Sequence, residues 1–239
     1  MNIFDASDNK IYERQTMIEL EKQNKNATAT SVIEGTDGPT SAVVLKKNSK
    51  LTPRQKIERF KNKIKTFYVE KTLKCESHSM DEVMEYIVDK YGFVEVDNDS
   101  DEFTEEYNQM RASFIMQYAP ELLGEYAVSP QLKSKSPEDV EKHIKQCKER
   151  MQRALEIPSA IFNIDFHKFK KSFQDENDNI DIIIEKKYAY IGGGATGNKK
   201  LIKEFNHIYK DIYRYYGVTK EDMKNKSERY NNIVQTLSL

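Results

Sequence analysis

Apolar residues recur at helical spacing along most of the chain beyond residue 52, and helix punctuation accompanies them. Thr52-Pro53 reads as an N-cap with proline at the first helical position, followed by Ile57, Phe60, Ile64 and Phe67. Ser79 and Glu82 form a capping box, Val83, Met84, Ile87 and Tyr91 make the stripe, and Gly92 closes the helix. A third helix carries Phe103, Tyr107, Met110 and Phe114 and stops at Pro120. A fourth opens at Ser136-Pro137 with Val140, Ile144, Cys147, Met151 and Leu155 on one face. A long helix bears Leu201, Phe205, Ile208, Ile212 and Tyr215 and ends at Gly217. Thr219 then caps one final helix with Met223, Tyr230, Ile233 and Leu237.

Between residues 159 and 197 the period changes. Phe162, Ile164 and Phe166 alternate as a strand does, while Phe169 and Phe173 continue at helical spacing, so a strand turning into a helix is expected. Ile180–Ile184 and Tyr188–Ile191 are β-rich runs, read as a hairpin around Glu185-Lys186-Lys187 or as one longer strand. The cluster 175–179 reads as a loop, and Gly192–Gly197 as a flexible connection. The expected fold is mainly α, with a small β-hairpin element near residues 160–191 and an extended N-terminal arm.

The arm, residues 1–50, has only a thin apolar stripe (Ile11, Ile18, Leu20), then a polar stretch with an Asp37-Gly38 turn signal between two short β-rich runs. It is expected to be flexible, or ordered only on a partner. Residues 51–239 make the helical domain, with a joint near 124–135 that would split it into 51–123 and 136–239. The beginning of the chain carries no secretory pattern, no run suits a membrane helix, and two cysteines make no disulfide framework. A cytoplasmic setting in the host cell follows as the expectation, with the virion added if the source is viral, and no membrane contact is expected.

A net charge of −1 hides two adjoining poles. From Lys46 to Lys74 eleven basic residues (Lys46, Lys47, Lys50, Arg54, Lys56, Arg59, Lys61, Lys63, Lys65, Lys71 and Lys74) face only Glu58 and Glu70. From Glu76 to Glu106 twelve acids face only Lys90. The basic pole suits nucleic-acid phosphate or an acidic protein face. It could equally be screened by the chain's own acidic pole in the fold.

Four arrangements bear on chemistry. Gly192-x-Gly194-x-x-Gly197 matches a dinucleotide fingerprint, but the second strand and the acid that the motif needs do not follow it. Cys75-x-x-His78 and His143-x-x-x-Cys147 have zinc-ligand spacing within each pair. Gln235-Thr236-Leu237-Ser238-Leu239 resembles a sliding-clamp-binding peptide. Asp165, and then Glu185-x-Lys187 after the apolar run Ile182–Ile184, resembles the core of the PD-(D/E)xK nucleases. That resemblance implies Asp165 and Glu185 as Mg²⁺ ligands and Lys187 orienting the attacking water. The tyrosines Tyr209, Tyr213, Tyr215 and Tyr216 sit at helical spacing, as core and boundary packing does, or as a stacking surface would.

The polar arm, the charge poles and the Tyr-rich helices point to a non-enzymatic interaction protein without cofactor that pairs with other protein subunits, as a homo-oligomer or as part of a larger assembly. Lys at 30 against Arg at 8, with no Trp, reads as the codon bias of an AT-rich genome, and extends the expectation to a phage structural protein such as a head-tail connector ring component. The alternatives are a nucleic-acid-associated accessory factor for transcription or replication, and the Mg²⁺-dependent nuclease.

Overall fold

A computed structural model describes residues 52–134, 136–173 and 178–239. The expected arm 1–50, with Lys46, Lys47 and Lys50, lies outside the described residues, as does most of the 175–179 loop. The described residues fall into two units, one with residues 52–61 and the other with residues 62–239.

The elements run α1 (Pro53–Thr72), α2 (Met80–Tyr91), β1 (Val94–Glu95), α3 (Asp101–Tyr118), a 3-10 helix (Pro120–Tyr126), α4 (Pro137–Glu156), β2 (Phe166–Ser172), β3 (Asn179–Glu185), β4 (Tyr190–Thr196), α5 (Lys199–Tyr216), α6 (Lys220–Asn225) and α7 (Glu228–Ser238). The helix-rich character matches expectation. The β element is larger than a hairpin: an antiparallel sheet in the order β1-β2-β3-β4.

The sheet is the middle layer of the second unit. Phe169, Ile180, Ile182, Ile184 and Ile191 meet Val83 and Ile87 of α2, Leu201, Ile208 and Ile212 of α5, and Ile233 of α7. Phe166 and Ile183 meet Phe103, Met110, Phe114 and Ile115 of α3 and Ala154 of α4. Alternation along β3 explains both faces: consecutive side chains point oppositely, so a strand buried on two sides reads as a continuous Ile run.

Three expectations give way here. Residues 166–172 stay a strand rather than turning into a helix, because β2 pairs along its whole length with β3, from Phe166↔Glu185 to Ser172↔Asn179. The glycines 192–194 lie inside β4 rather than in a flexible connection. At Gly193 a Cβ would sit 2.5 Å from the Asp181 carbonyl, so close strand approach is what requires glycine there. The expected last helix is two, because Lys226 turns left-handed (φ 48°) and Ser227 caps a new start.

Three arginines tie helix ends together, two of them buried, Arg111 and Arg150. Arg111 of α3 donates to the carbonyls of Ile157 (2.5 Å) and Leu155 (3.4 Å) at the end of α4. Arg150 of α4 donates to Met116 O (3.1 Å) near the end of α3, and to Tyr126 O (2.9 Å). Arg229 of α7 donates to Gly217 O (2.7 Å) past the end of α5 and lies over the Tyr216 ring. Each guanidinium satisfies carbonyls that a helix C-terminus leaves unpaired, where the helix dipole favours a cation. Arg serves here because its fork reaches two or three acceptors at once.

Candidate functional site

Helix α1 forms from a Thr52–Gln55 cap, with Thr52 N–H donating to Gln55 Oε1 (2.8 Å). None of its side chains is buried. The helix passes from one unit into the other. In its first part, up to Lys61, Ile57 and Phe60 are exposed. In its second part, from Asn62, Val69 packs against the core of the second unit, as does Leu73 just past the helix end. Ile64, Phe67 and Tyr68 point the opposite way and are 53, 60 and 68% exposed. The sequence stripe Ile57-Phe60-Ile64-Phe67 was the natural choice for a core-facing side. This segment instead docks by Val69 and Leu73, roughly half a turn around, given about 100° per residue.

The basic pole does not meet the acidic one within the second unit. No acid of residues 76–106 pairs with Lys63, Lys65, Lys71 or Lys74 there. Lys65 donates to Leu239 O (2.9 Å), and Lys71 lies over the Phe67 ring. The acids are answered elsewhere. Glu102 accepts from Lys168 (2.6 Å) and Lys170 (3.1 Å), and Glu106 also grips Lys168. Asp81 pairs with Lys186 (2.7 Å), and Glu95 with His167 (2.7 Å). Lys90 pairs with Asp211 of α5 (2.8 Å). Lys168 is almost fully buried, so its partners matter more than those of an exposed lysine. The Lys168 contact is also the first cause of the lowered Glu102 pKa.

A second basic row escaped the sequence reading. Lys203, His207, Lys210 and Arg214 fall on one face of α5, at intervals of four, three and four residues. Local charge counting missed it because Glu204 and Asp211 are interspersed, although the spacing itself was readable. Burial first, then the neighbouring charges of Lys65 and Arg214, hold the Lys210 ammonium below the ordinary lysine range. Lys65 near the end of α1 is thus close enough to Lys210 of α5 for its charge to act there, inside the second unit.

The other arrangements resolve as follows. Both oxygens of the fully buried Glu185 carboxylate accept backbone N–H groups, from Asp165 (2.9 Å) and Tyr188 (2.6 Å). The Asp165 carboxylate faces His167 (3.2 Å) and Lys186 (3.6 Å). The Lys187 ammonium approaches Asn163 O (3.4 Å) and the Phe162 and Tyr188 rings. The three residues are neighbours in space, but Glu185 clamps the β3–β4 turn with its oxygens already occupied. His143 and Cys147 contact each other on α4 (3.6 Å), while the His78 ring bonds Tyr215 O (2.5 Å) and stacks on Tyr215, and Cys75 is exposed. Among the described residues no three His, Cys, Asp or Glu side chains gather around a metal-sized point.

The glycine fingerprint is split between β4 and the cap of α5, where Asn198 Oδ1 accepts the Lys200 N–H (2.9 Å). Leu237, in the C-terminal stretch Gln235–Leu239, packs on the core. The tyrosines of α5 are structural: the Tyr209 and Tyr213 hydroxyls donate to Ile191 O (3.0 and 2.8 Å), and Tyr215 stacks between His78 and Tyr86. Among the described residues no helix is long and apolar enough to cross a membrane.

No protein-family model matches the chain, and comparisons with curated proteins and with solved structures find no match.

Proposed function

We propose that this chain is a non-enzymatic interaction protein, a subunit of a larger assembly, that engages its partner through the outward face of α1. The observation that carries this reading is the exposure of Ile64, Phe67 and Tyr68 on a well-formed helix. A helix that turns large apolar side chains to water, while anchored by its other side, has a face suited to association. Lysines at Lys61, Lys63, Lys65 and Lys71 keep such a face soluble until it is covered. The remaining basic pole residues, Arg54, Lys56 and Arg59, lie on the same helix. A virion subunit, such as a ring component, is the narrower form of this proposal.

A second reading is a nucleic-acid-associated accessory factor. The basic row of α5 favours it, since the cations of Lys203, Lys210 and Arg214 along one helix face match a phosphate backbone. The two readings part on the apolar residues, because phosphate gives Ile64 nothing to bury against.

The deciding experiment compares native mass spectra of assemblies recovered from the source with wild-type protein and with an Ile64→Asp/Phe67→Asp variant. Wild type is expected in a complex and the variant as a free chain of unchanged melting temperature. A variant that assembles like wild type overturns the reading. Loss of bound nucleic acid in place of protein moves it to the accessory factor.

A further inference from the structure

Apart from any docking at α1, the second unit carries a cleft of about 400 Å³ between α3 and the segment that follows α4. We infer that this cleft binds a small organic acid, its carboxylate held by the Nε–Nη2 edge of Arg111 and its apolar body laid against Phe103, Tyr107, Leu155, Ile157 and Pro158. The volume lies within the range of about 300–1,000 Å³ that small-ligand sites occupy.

Local sequence builds both walls. Phe103, Tyr107 and Arg111 follow one another at intervals of four on α3 and so share one face. Leu155 belongs to the last turn of α4, and Ile157 beyond it is extended (ψ 123°), as a residue before proline is. That break turns Ile157 and Pro158 across the start of α3. The exposed Asn98, Thr104 and Ser159 also line the cleft. Apolar walls with a few polar groups are the usual make-up of a small-molecule site.

Arg111 selects the ligand. It is 4% exposed and lines the cleft. Its Nη1 donates to Ile157 O (2.5 Å) and Phe162 O (3.4 Å), but Nη2 has only Leu155 O at 3.4 Å, and the buried Nε–H has no acceptor. The other two arginines that tie helix ends differ at this edge. Nε of Arg150 donates to Tyr126 O (2.9 Å) and Nε of Arg229 to Gly217 O (2.7 Å). Nη2 of each reaches two further carbonyls. Their Nε–Nη2 edges are full, and that of Arg111 is nearly empty. A buried donor without an acceptor is costly, and a guanidinium edge fits the two oxygens of a carboxylate in parallel. Nη1 anchors the group, so a small turn about it presents the open edge to the cleft. Among the described residues no carboxylate pairs with Arg111. Glu156, the acid on the wall, is taken by Arg153 (3.2 Å). A phosphate monoester would bring a second negative charge beside Glu156, and the lining holds no second cation to meet it.

The test uses the isotope-labelled full chain and follows the assigned Arg111 Nε–H signal by NMR. The probes are phenylbutyrate, octanoate, the neutral phenylbutyramide and phenyl phosphate. Both acids are expected to move the signal saturably. Phenylbutyrate should bind at least about tenfold more tightly than its amide, because its bonds to the guanidinium are charge-assisted. Ser159→Trp, at an exposed lining position, should fill the cleft and abolish binding at an unchanged melting temperature. Arg111→Lys keeps the charge without the fork and should weaken phenylbutyrate about tenfold. That variant also gives up a tie between helices, so Ser159→Trp decides alone if the lysine variant does not fold. Four results overturn the inference: neither acid moving the signal at millimolar concentration, equal binding of phenylbutyrate and its amide, a preference for phenyl phosphate, or binding that survives Ser159→Trp.

Discussion

Isoleucine has opposite fates in two parts of this molecule. Ile180, Ile182 and Ile184 of β3 are 0% exposed, and Ile64 of α1 is 53% exposed. β3 lies between two helical layers and has neighbours on both pleat faces. The end of α1 reaches the core of the second unit with the apolar side chain of Val69, and Leu73 follows just past the helix. Burying an isoleucine side chain stabilises a fold by about 1.5–3 kcal/mol. The sheet collects that contribution during folding, whereas α1 leaves it uncollected until something covers the helix. Apolar side chains thus do different work according to when they leave water.

The largest expected effect that sharpens this contrast is at the sheet. Ile182→Ala should cost about 2–5 kcal/mol, read from the denaturant midpoint, since its side chain is enclosed on all sides. A loss below about 1 kcal/mol would mean that the sheet is not the core described here. Next is Glu185→Ala, which leaves the N–H groups of Asp165 and Tyr188 without their buried carboxylate acceptor and is expected to cost about 1–3 kcal/mol. An unchanged melting temperature would break the assignment of Glu185 as the turn clamp.

A smaller effect concerns the junction of α2 and α5. Burial pushes the Asp211 carboxyl up, but hydrogen bonds from Lys90, Tyr86 and Tyr91 outweigh it and bring the pKa to about 2. The folded-state value lies below the unfolded one, so the contribution is present above about pH 4 and is lost as pH falls towards 2. Asp211→Asn should cost about 1–2 kcal/mol at neutral pH. It should also flatten the stability–pH curve between about pH 4 and 2, and an acid limb as steep as wild type would remove Asp211 from this role.

The smallest effect is on α1 itself. Ile64→Ser and Phe67→Ser should change stability by no more than about 0.5 kcal/mol, because both side chains already face water. A loss comparable to Ile182→Ala would erase the contrast and, with it, the case for a docking face.

Much of the architecture was legible along the chain. The capping box at Ser79–Glu82, the left-handed Gly92 and the Ser136-Pro137 start are local devices, and all appear at the expected places. The β3–β4 hairpin was visible in its β-rich runs. The strand 166–172 was not, because Phe166, Phe169 and Phe173 satisfy a helical period equally well, and only pairing with β3 decides. The site was half legible. The basic pole was plain in the composition, but the row on α5 hid among acids, and the orientation of α1 had no local signal.

The order of residues by itself determined the helix starts, the position of the hairpin and the segregation of charge, because caps, turns and periodicity act over a few residues. Tertiary structure alone decided that the glycines 192–194 form a strand, that Glu185 holds a turn, that Asp81, Glu95, Glu102 and Glu106 find Lys168, Lys170, Lys186 and His167, and that Val69 and Leu73 are the residues that pack on the core. Those outcomes depend on which surfaces meet across long separations in the chain. Contacts of that kind are set by the packing of whole layers, which no short stretch of sequence contains.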